Sequence, residues 1–469
     1  MSTSDTPIIV RFPPSPTGEI HIGNVRTLLF NYLFARQNQG KVVFRFEDTD
    51  KERSQAAFEE PMIRVLHGLG LDWDEGPYRQ SERTDIYQKY LHQLVDEGKA
   101  YLAEDNSQGT GKVVRLKNTE REIVWQDLVK GEIKINTHTF KDEFGNPDII
   151  IARSIDDAIY HFTVVVDDWL MGVTHVIRGD DHVTSTPRQI MIFEALGAEV
   201  PTFGHLPTII GEDRKKLSKR NGTTSLQAFF DLGYLKETMV NYLALLGWNP
   251  GDEREFFSME ELIEEFSFER CQKSPAQFDF KKLDHINKHY LDMLSPEEYL
   301  KYVWNFIDSH TRWENAVRDE RFFADKELMN RVILTIVRDR INKSSEFIDL
   351  INRGELNPYF NFAYSKDLED FDKDKLKFKT QTDNEVKDVL NLAIEKLEAC
   401  KDLEVGEWSV ESLKSCLFDW AGTLGRGQVL HPLRVSLTLK EKSSDPFTVM
   451  SLIGREDSLL RIKFFIDNL

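Results

Sequence analysis

Two stretches of this 469-residue chain combine residue types and spacing suited to work on a phosphate. The first is the loop Pro14-Ser15-Pro16-Thr17-Gly18, followed by His21-Ile22-Gly23-Asn24. A helix opening there would present free amides and a partial positive charge, which attract phosphate. Gly23 has no side chain to hold a nucleotide away from the backbone. His21 can donate a hydrogen bond to a phosphate oxygen, and Thr17 offers a hydroxyl. Alone, the segment also reads as an ordinary loop capping a helix beside an incidental histidine. The second stretch is Lys216-Leu217-Ser218-Lys219-Arg220, with Arg214 and Lys215 ahead and Gly222 behind. Two ammonium groups on a loop can neutralise the charge that develops as pyrophosphate leaves a triphosphate. Alone, such a run is more often a solvated basic patch or a localisation tag.

Elements must hold these residues in place. Residues 8–12 (IIVRF) read as a short buried strand, and a helix is expected from near Gly23 to about Gln37, with Leu28, Leu29, Tyr32, Leu33 and Ala35 on its apolar face. KVVFRF (41–46) supplies a second strand. Strand, loop, helix, strand is a βαβ unit and predicts a parallel sheet, whose ligands bind at the carboxyl ends of the strands. Arg11 to Asn24 and the acidic turn Glu47-Asp48-Thr49-Asp50 both fall there. Helical patterns follow over 56–69 and 83–97. Residues 101–153 change character, polar at first and then strand-like at VVRL (113–116), and read as an insertion. Apolar character returns at 159–166 (IYHFTVVV), and THVIRGDDH (174–182) reads as a sheet strand with polar groups at its exit. Beyond 226, apolar residues recur at helical spacing over 226–247, 258–266, 283–306, 328–351, 384–399 and 409–424. A Pro/Asp/Lys-rich stretch near 357–380 divides two helical modules.

The length suits two to four domains, and 40% hydrophobic residues suffice for substantial cores. A net charge of −19 argues against a general nucleic-acid binder, though not against one that concentrates its basic groups locally. Cys271, Cys400 and Cys416 lie far apart in sequence, so three reduced, partly buried thiols are expected, with neither a zinc site nor a disulfide framework. Residues 1–7 lack the layout of a signal peptide, and there is no apolar run of about 18 residues to span a membrane.

Taken together and in this order, the two phosphate-directed stretches resemble the hallmarks of class I aminoacyl-tRNA synthetases, usually written HIGH and KMSKS. RFPPSPTGEIHIGNVRT (11–27), FRFEDTDKERS (44–54), LDWDEGPYRQSER (71–83), VVVDDWLMGVTHVIRGDDHVTSTPRQ (164–189), KKLSKRNG (215–222) and PLRVSLT (432–438) resemble the blocks of the bacterial-type glutamyl branch. The resemblance covers nearly the whole chain. Asn24 stands where the first hallmark usually ends in histidine, a position at which glutamyl members often differ. The segment around 103–112 is shorter than in many members. It lacks the cysteines of those with a zinc knob there, so no zinc is expected.

The resemblance implies a Rossmann-like α/β parallel-sheet catalytic domain in two halves, 1–100 and 154–225, around an α+β acceptor-binding insertion at 101–153. All-α domains would follow, a stem-contact domain at 226–320 and anticodon-binding structure at 321–469. It implies ATP with Mg²⁺ as the energy source. Its partners would be L-glutamate and tRNA(Glu), with tRNA(Gln) left open, and neither DNA nor a membrane. A cytoplasmic monomer is expected. His21, Lys216 and Lys219 would be catalytic, and Thr17, Gly18, Gly23, Asn24 and Ser218 would join them around ATP. Arg11, Ser15, Glu47, Tyr160 and Arg178 would hold glutamate: Arg11 and Tyr160 at the side-chain carboxylate, Ser15 and Glu47 at the α-ammonium, Arg178 at one of the carboxylates. A guanidinium fork with a hydroxyl nearby suits a carboxylate over an amide. Arg338 and Arg340 would face the anticodon, and no protein-bound metal is expected, since the carboxylates of 47–50 are adjacent with no further ligand run. Three other readings have less support. A shorter tRNA-base-modifying relative lacks the helical module, a glutaminyl enzyme carries a β-barrel one, and a catalytically dead tRNA-binding protein has no physical need for all of His21, Lys216, Lys219, Arg11 and Glu47.

Overall fold

The computed structural model describes residues 7–49, 54–104, 111–142, 145–215, 217, 224–309, 322, 324–360, 371–400 and 407–469. The chain divides into two compact units, Met1–Tyr290 and Leu291–Leu469.

The first unit is organised by parallel strands. β1 (Ile9–Phe12) leads through a loop into α1 (Ile22–Gln37) and back to β2 (Lys41–Phe46), beside which β3 (Glu75–Arg79) lies. Val10 faces Val42 and Phe12 faces Phe44 in parallel register. Every residue of β2 after Lys41 is buried, as expected of a parallel strand covered on both faces. In α1, Ile22, Val25, Leu29 and Leu33 recur at helical spacing, but Leu28, Phe30 and Ala35 are buried as well. This helix is therefore enclosed by core rather than laid on a surface. Its start is fixed by His21, whose Nδ1 accepts the Gly23 N–H at 3.0 Å.

Residues 101–153 build mainly strands: β4 (Ala100–Glu104), β5 (Lys112–Leu116), β6 (Glu122–Asp127), β7 (Gly131–Asn136) and β8 (Ile149–Ser154), followed by β9 (Asp157–Ala158). β4, β5, β8 and β9 form an antiparallel sheet. The β6–β7 hairpin instead extends the parallel system, since β6 pairs with β11 (Thr202–Leu206), which pairs with β10 (His175–Gly179). The Thr174 N–H donates to the Ile9 carbonyl at 2.9 Å and so brings the start of β10 beside β1. From β1 the chain order runs one way through β2 and β3, and from β10 the other way through β11. That reversal is a topological switch point, where open α/β sheets bind ligands.

The apolar run 159–166 forms α2 (Tyr160–Leu170) despite three consecutive valines, because tertiary burial of Phe162 and Val164–Val166 outweighs β-branched propensity. Several long helical patterns also break. Residues 226–247 divide into α3 (Leu226–Asp231) and α4 (Lys236–Leu245) at Gly233, whose φ of 91° favours glycine. Residues 283–306 divide at Ser295-Pro296, where Ser295 and Glu298 bond reciprocally to open a new helix at Pro296. In 328–351 the helix Lys326–Val332 passes into a π-helical turn at Ile333–Val337 before the helix Ser345–Asn352 begins.

In the second unit the helices Asp383–Ala399, Val410–Leu424 and Arg426–Thr438 pack on one another. This packing corrects the expectation of three reduced thiols: Cys400 and Cys416 are joined by a disulfide, their Cα atoms 5.8 Å apart, and only Cys271 is free and buried. The two lie 16 residues apart, at the end of one helix and inside the next, so helix packing rather than local spacing brings them together.

Candidate active site

A cleft of about 450 Å³ opens at the carboxyl ends of β1 and β10, the switch point of the sheet. Arg11, Ser15, Thr17, His21, Gly23, Asn24, Glu47, Tyr160 and Arg178 all line it. Of the described residues expected at the substrates, Gly18 alone does not line it. Lys216, Ser218 and Lys219 lie outside the described residues.

At one end the cleft is floored by the start of α1. With His21 Nδ1 accepting from Gly23, the ring proton is left on Nε2. A Cβ on Gly23 would come within 3.1 Å of that Nδ1. The two signature segments are tied together by the backbone: Ile22 N–H donates to the Thr224 carbonyl at 3.0 Å and Leu226 N–H to the Ile20 carbonyl at 3.0 Å. On the other side of the basic loop, Leu217 N–H donates to the Ile209 carbonyl at 3.1 Å, and buried Leu217 lines the cleft. Arg26, missed in the sequence, also lines it; its Nη1 and Nη2 donate to the Leu246 and Pro207 carbonyls at 3.2 and 2.5 Å. It thereby fastens α1 to the segment leading into the basic loop. Burial lowers its pKa to about 10, so it remains a cation at neutral pH. A single arginine among apolar helix positions was the signal available for it.

At the other end lies a buried ionic cluster. Arg11 donates through Nε to Asp168 Oδ2 at 3.3 Å and through Nη1 to the Ile177 carbonyl at 3.2 Å. Arg45, fully buried, donates to the other Asp168 oxygen at 2.9 Å and to Glu47 at 3.4 Å. Its Nε lies 3.5 Å from Asp167, an ionic contact without hydrogen-bond geometry. Burial opposes its charge, but Asp168, Asp167 and Glu47 together raise its pKa. Glu47 has the opposite balance: burial pushes its carboxyl up to about 7 against the pull of Arg45 and Arg11. Burial, aided by Glu47, likewise raises the Tyr160 phenol to about 12, so it stays a neutral donor. Arg178 donates to His205 Nε2 at 3.3 Å and to Thr186 at 2.8 Å. Its Nη1 is buried with no hydrogen-bond partner among the described residues. An orphaned donor on a cleft-lining guanidinium fits an anionic ligand group.

The polar exit of β10 divides in role. Asp181 and His182 line the cleft, whereas Asp180 accepts from Lys130 at 2.9 Å and from Thr208 at 2.6 Å. In the second unit, Arg338 donates to the Asp292 and Leu294 carbonyls and lies over the Tyr299 ring, while Arg340 pairs with Glu355 and Ser444.

The family described as tRNA synthetases class I (E and Q), catalytic domain, matches residues 7–108 and 103–285, and the anticodon binding domain family matches 291–466. Fold, signature segments and these matches define a class I tRNA synthetase. The glutamate–tRNA ligase of Aquifex aeolicus is 40% identical over 91% of this chain and 92% of its own. Glutamate–tRNA ligase 1 of Caldicellulosiruptor saccharolyticus is 35% identical over 97% of this chain and 98% of its own. A crystal structure of the glutamate tRNA ligase from Elizabethkingia meningosepticum in complex with its amino acid superposes with a TM-score of 0.79 at 28% identity, covering 98% of this chain and 99% of that one. The chain belongs to the glutamate–tRNA ligase family.

Proposed function

We propose that the cleft activates L-glutamate with ATP and passes it to the 3′-terminal adenosine of tRNA(Glu). One observation carries this reading: Arg11, Arg178 and Tyr160, side chains suited to a carboxylate, share a single cleft, beside Glu47 and Ser15, with a helix N-terminus bearing His21, Gly23 and Asn24. The α-carboxylate oxygen of glutamate attacks the α-phosphorus of ATP, and the bond to pyrophosphate breaks. The terminal ribose hydroxyl, the 2′ in this class, then attacks the acyl carbon and AMP leaves. Positioning and charge neutralisation carry both steps. The α1 amides, Thr17, Gly18, His21 and Asn24 would hold the nucleotide, with Lys216, Ser218 and Lys219 at its phosphates. Mg²⁺ would arrive on the ATP phosphates, since this ion usually keeps several waters and is bound through one or two carboxylates plus substrate phosphates.

In this reading the 101–153 segment takes the acceptor end, 226–320 the stem and 321–469 the anticodon, with Arg338 and Arg340 as contacts. The second compact unit and the anticodon-binding match both begin at residue 291, inside the stretch that this reading gives to the stem. We place the enzyme in the cytoplasm as a monomer. ATP-dependent attachment of labelled glutamate to tRNA(Glu) and tRNA(Gln), beside a Lys219→Ala control, tests the reading. Charging of tRNA(Glu) alone defines a discriminating enzyme, and charging of both a relaxed one. No charging of either, with the control indistinguishable from the wild type, removes the reading.

Two expected results follow from the geometry. Glu47, at about 7 before substrate binds, must be ionised to hold the α-ammonium. Binding therefore expels a proton when pH is below that value, and affinity falls as pH drops, by up to about tenfold per unit. The KM for glutamate should rise from about pH 7 downward and level off above it. Glu47→Gln should weaken binding and flatten the profile, and a wild-type KM that ignores pH over this range would count against the role. Gly23→Ala places a methyl against His21 Nδ1 at the phosphate end. It is expected to lower kcat/KM for ATP by about ten- to a hundredfold through misplacement of the nucleotide. An unchanged value would separate Gly23 from nucleotide binding.

A further inference from the structure

Arg178, His205 and Asp127 sit on three neighbouring strands. Arg178 and His205 are direct partners in the parallel register of β10 and β11, and Asp127 ends β6, beside Phe203 of β11. Asp127 Oδ1 accepts three backbone N–H groups: Val129 at 3.0 Å, Lys130 at 2.9 Å and His205 at 3.1 Å. Its Oδ2 lies 2.5 Å from His205 Nδ1. Burial works against the Asp127 charge, yet these hydrogen bonds hold its pKa below the ordinary carboxylate range. An ionised carboxylate can only accept, so His205 Nδ1 must carry the ring proton. Nε2 is then a bare acceptor, 3.3 Å from Arg178 Nε and 3.1 Å from Thr186 Oγ1. Arg178 Nε can only donate, so this tautomer alone satisfies it.

We propose that Asp127 and His205 are positioning residues for glutamate binding: Asp127 fixes the His205 tautomer, and His205 thereby orients the Arg178 guanidinium at the cleft. The proposal rests on the reading of Arg178 as a glutamate-binding residue. It gives the hairpin between residues 122 and 136 a part in amino-acid recognition, although neither Asp127 nor His205 lines the cleft.

Asp127→Asn is the sharpest probe because its effect is directional. The three backbone donors require the amide oxygen at the Oδ1 position, which turns the amide NH₂ toward His205 Nδ1. The histidine must then protonate at Nε2, setting one N–H against another at Arg178 Nε. The KM for glutamate in the charging reaction should rise by about tenfold or more, with the KM for ATP unchanged. In His205→Gln, a side-chain carbonyl can replace Nε2 as acceptor without help from Asp127. That variant should stay within about threefold of wild type, and adding Asp127→Asn to it should cost little more. Nitrogen-15 NMR of the histidine rings, with His205 assigned by its loss in His205→Gln, should report Nδ1–H in the wild type and Nε2–H in Asp127→Asn.

An Nε2-protonated His205 in the wild type overturns the inference. So does an Asp127→Asn variant with an unchanged glutamate KM, or one equally damaging in both backgrounds or to ATP and glutamate alike, which would mark a purely structural residue. Wild-type charging, measured alongside, tests the synthetase reading separately, because the tautomer is read without turnover.

Discussion

Arg178→Lys is expected to raise the KM for glutamate by about a hundredfold or more while leaving the KM for ATP within about twofold. The guanidinium has Nε on His205 and Nη2 on Thr186, leaving Nη1 without a hydrogen-bond partner among the described residues. A lysine places one ammonium where three nitrogens had separate tasks, so both the anchoring bonds and the forked contact to a carboxylate are lost. The effect belongs mainly in KM, since binding energy shared by ground and transition states is removed. Steady-state charging at varied glutamate and varied ATP separates the two. A glutamate KM within about threefold of wild type would falsify the assignment of Arg178 to a substrate carboxylate.

Asp168→Asn should lower the stability of the first unit by about 3–5 kcal/mol, the range for leaving buried charges unpaired. Asp168 bridges two guanidinium groups, Arg11 at 3.3 Å and Arg45 at 2.9 Å, and all three side chains are at most 2% exposed. Asparagine keeps the shape but removes the charge, and the substrate-free cluster is already short of anions because Glu47 is near its midpoint at pH 7. Urea unfolding of the full chain, followed by a probe in the first unit, measures the change. Saturating glutamate should recover part of the loss, since its carboxylates bring compensating charge and binding stabilises the native state. A midpoint equal to wild type would mean that Arg45 is adequately paired by Asp167 and Glu47 alone.

The first βαβ unit was legible because each of its signals is local. Apolar runs mark β1 and β2, helical spacing marks α1, and the sheet rule then places Arg11 and Glu47 at strand ends where a ligand belongs. The bracing behind those residues was not legible. KVVFRF reads as a buried strand in which Arg45 is an anomaly, and its partners Asp167 and Asp168 come from a helix more than a hundred residues away. His205 and Asp127, 78 residues apart, meet only through strand register, which no local pattern carries. The helix at 160–170 was hidden by β-branched valines whose preference gives way to burial. Cys400 and Cys416 meet through helix packing, and three thiols with no short spacing gave no sign of it.

The pairing of distant segments also sets a timetable for the growing polypeptide. On its β10 side, Ile9 finds its neighbour only when Thr174 has been made, and Ile22, beside His21, finds its backbone partner only when Thr224 has. β1 and β2 can pair as soon as both are made, but the β10-facing edge of β1 and the backbone around His21 emerge from the ribosome early and must wait open until the distant segments arrive. Parallel pairings of this kind form slowly and leave hydrophobic edges open meanwhile. Once Tyr290 has been added, every residue of the first unit has been made, while the roughly 180 residues of the second unit are still to be made. At translation rates of about 5–20 residues per second, that leaves about 10–40 s in which the nascent chain holds all its cleft residues before its second unit is complete.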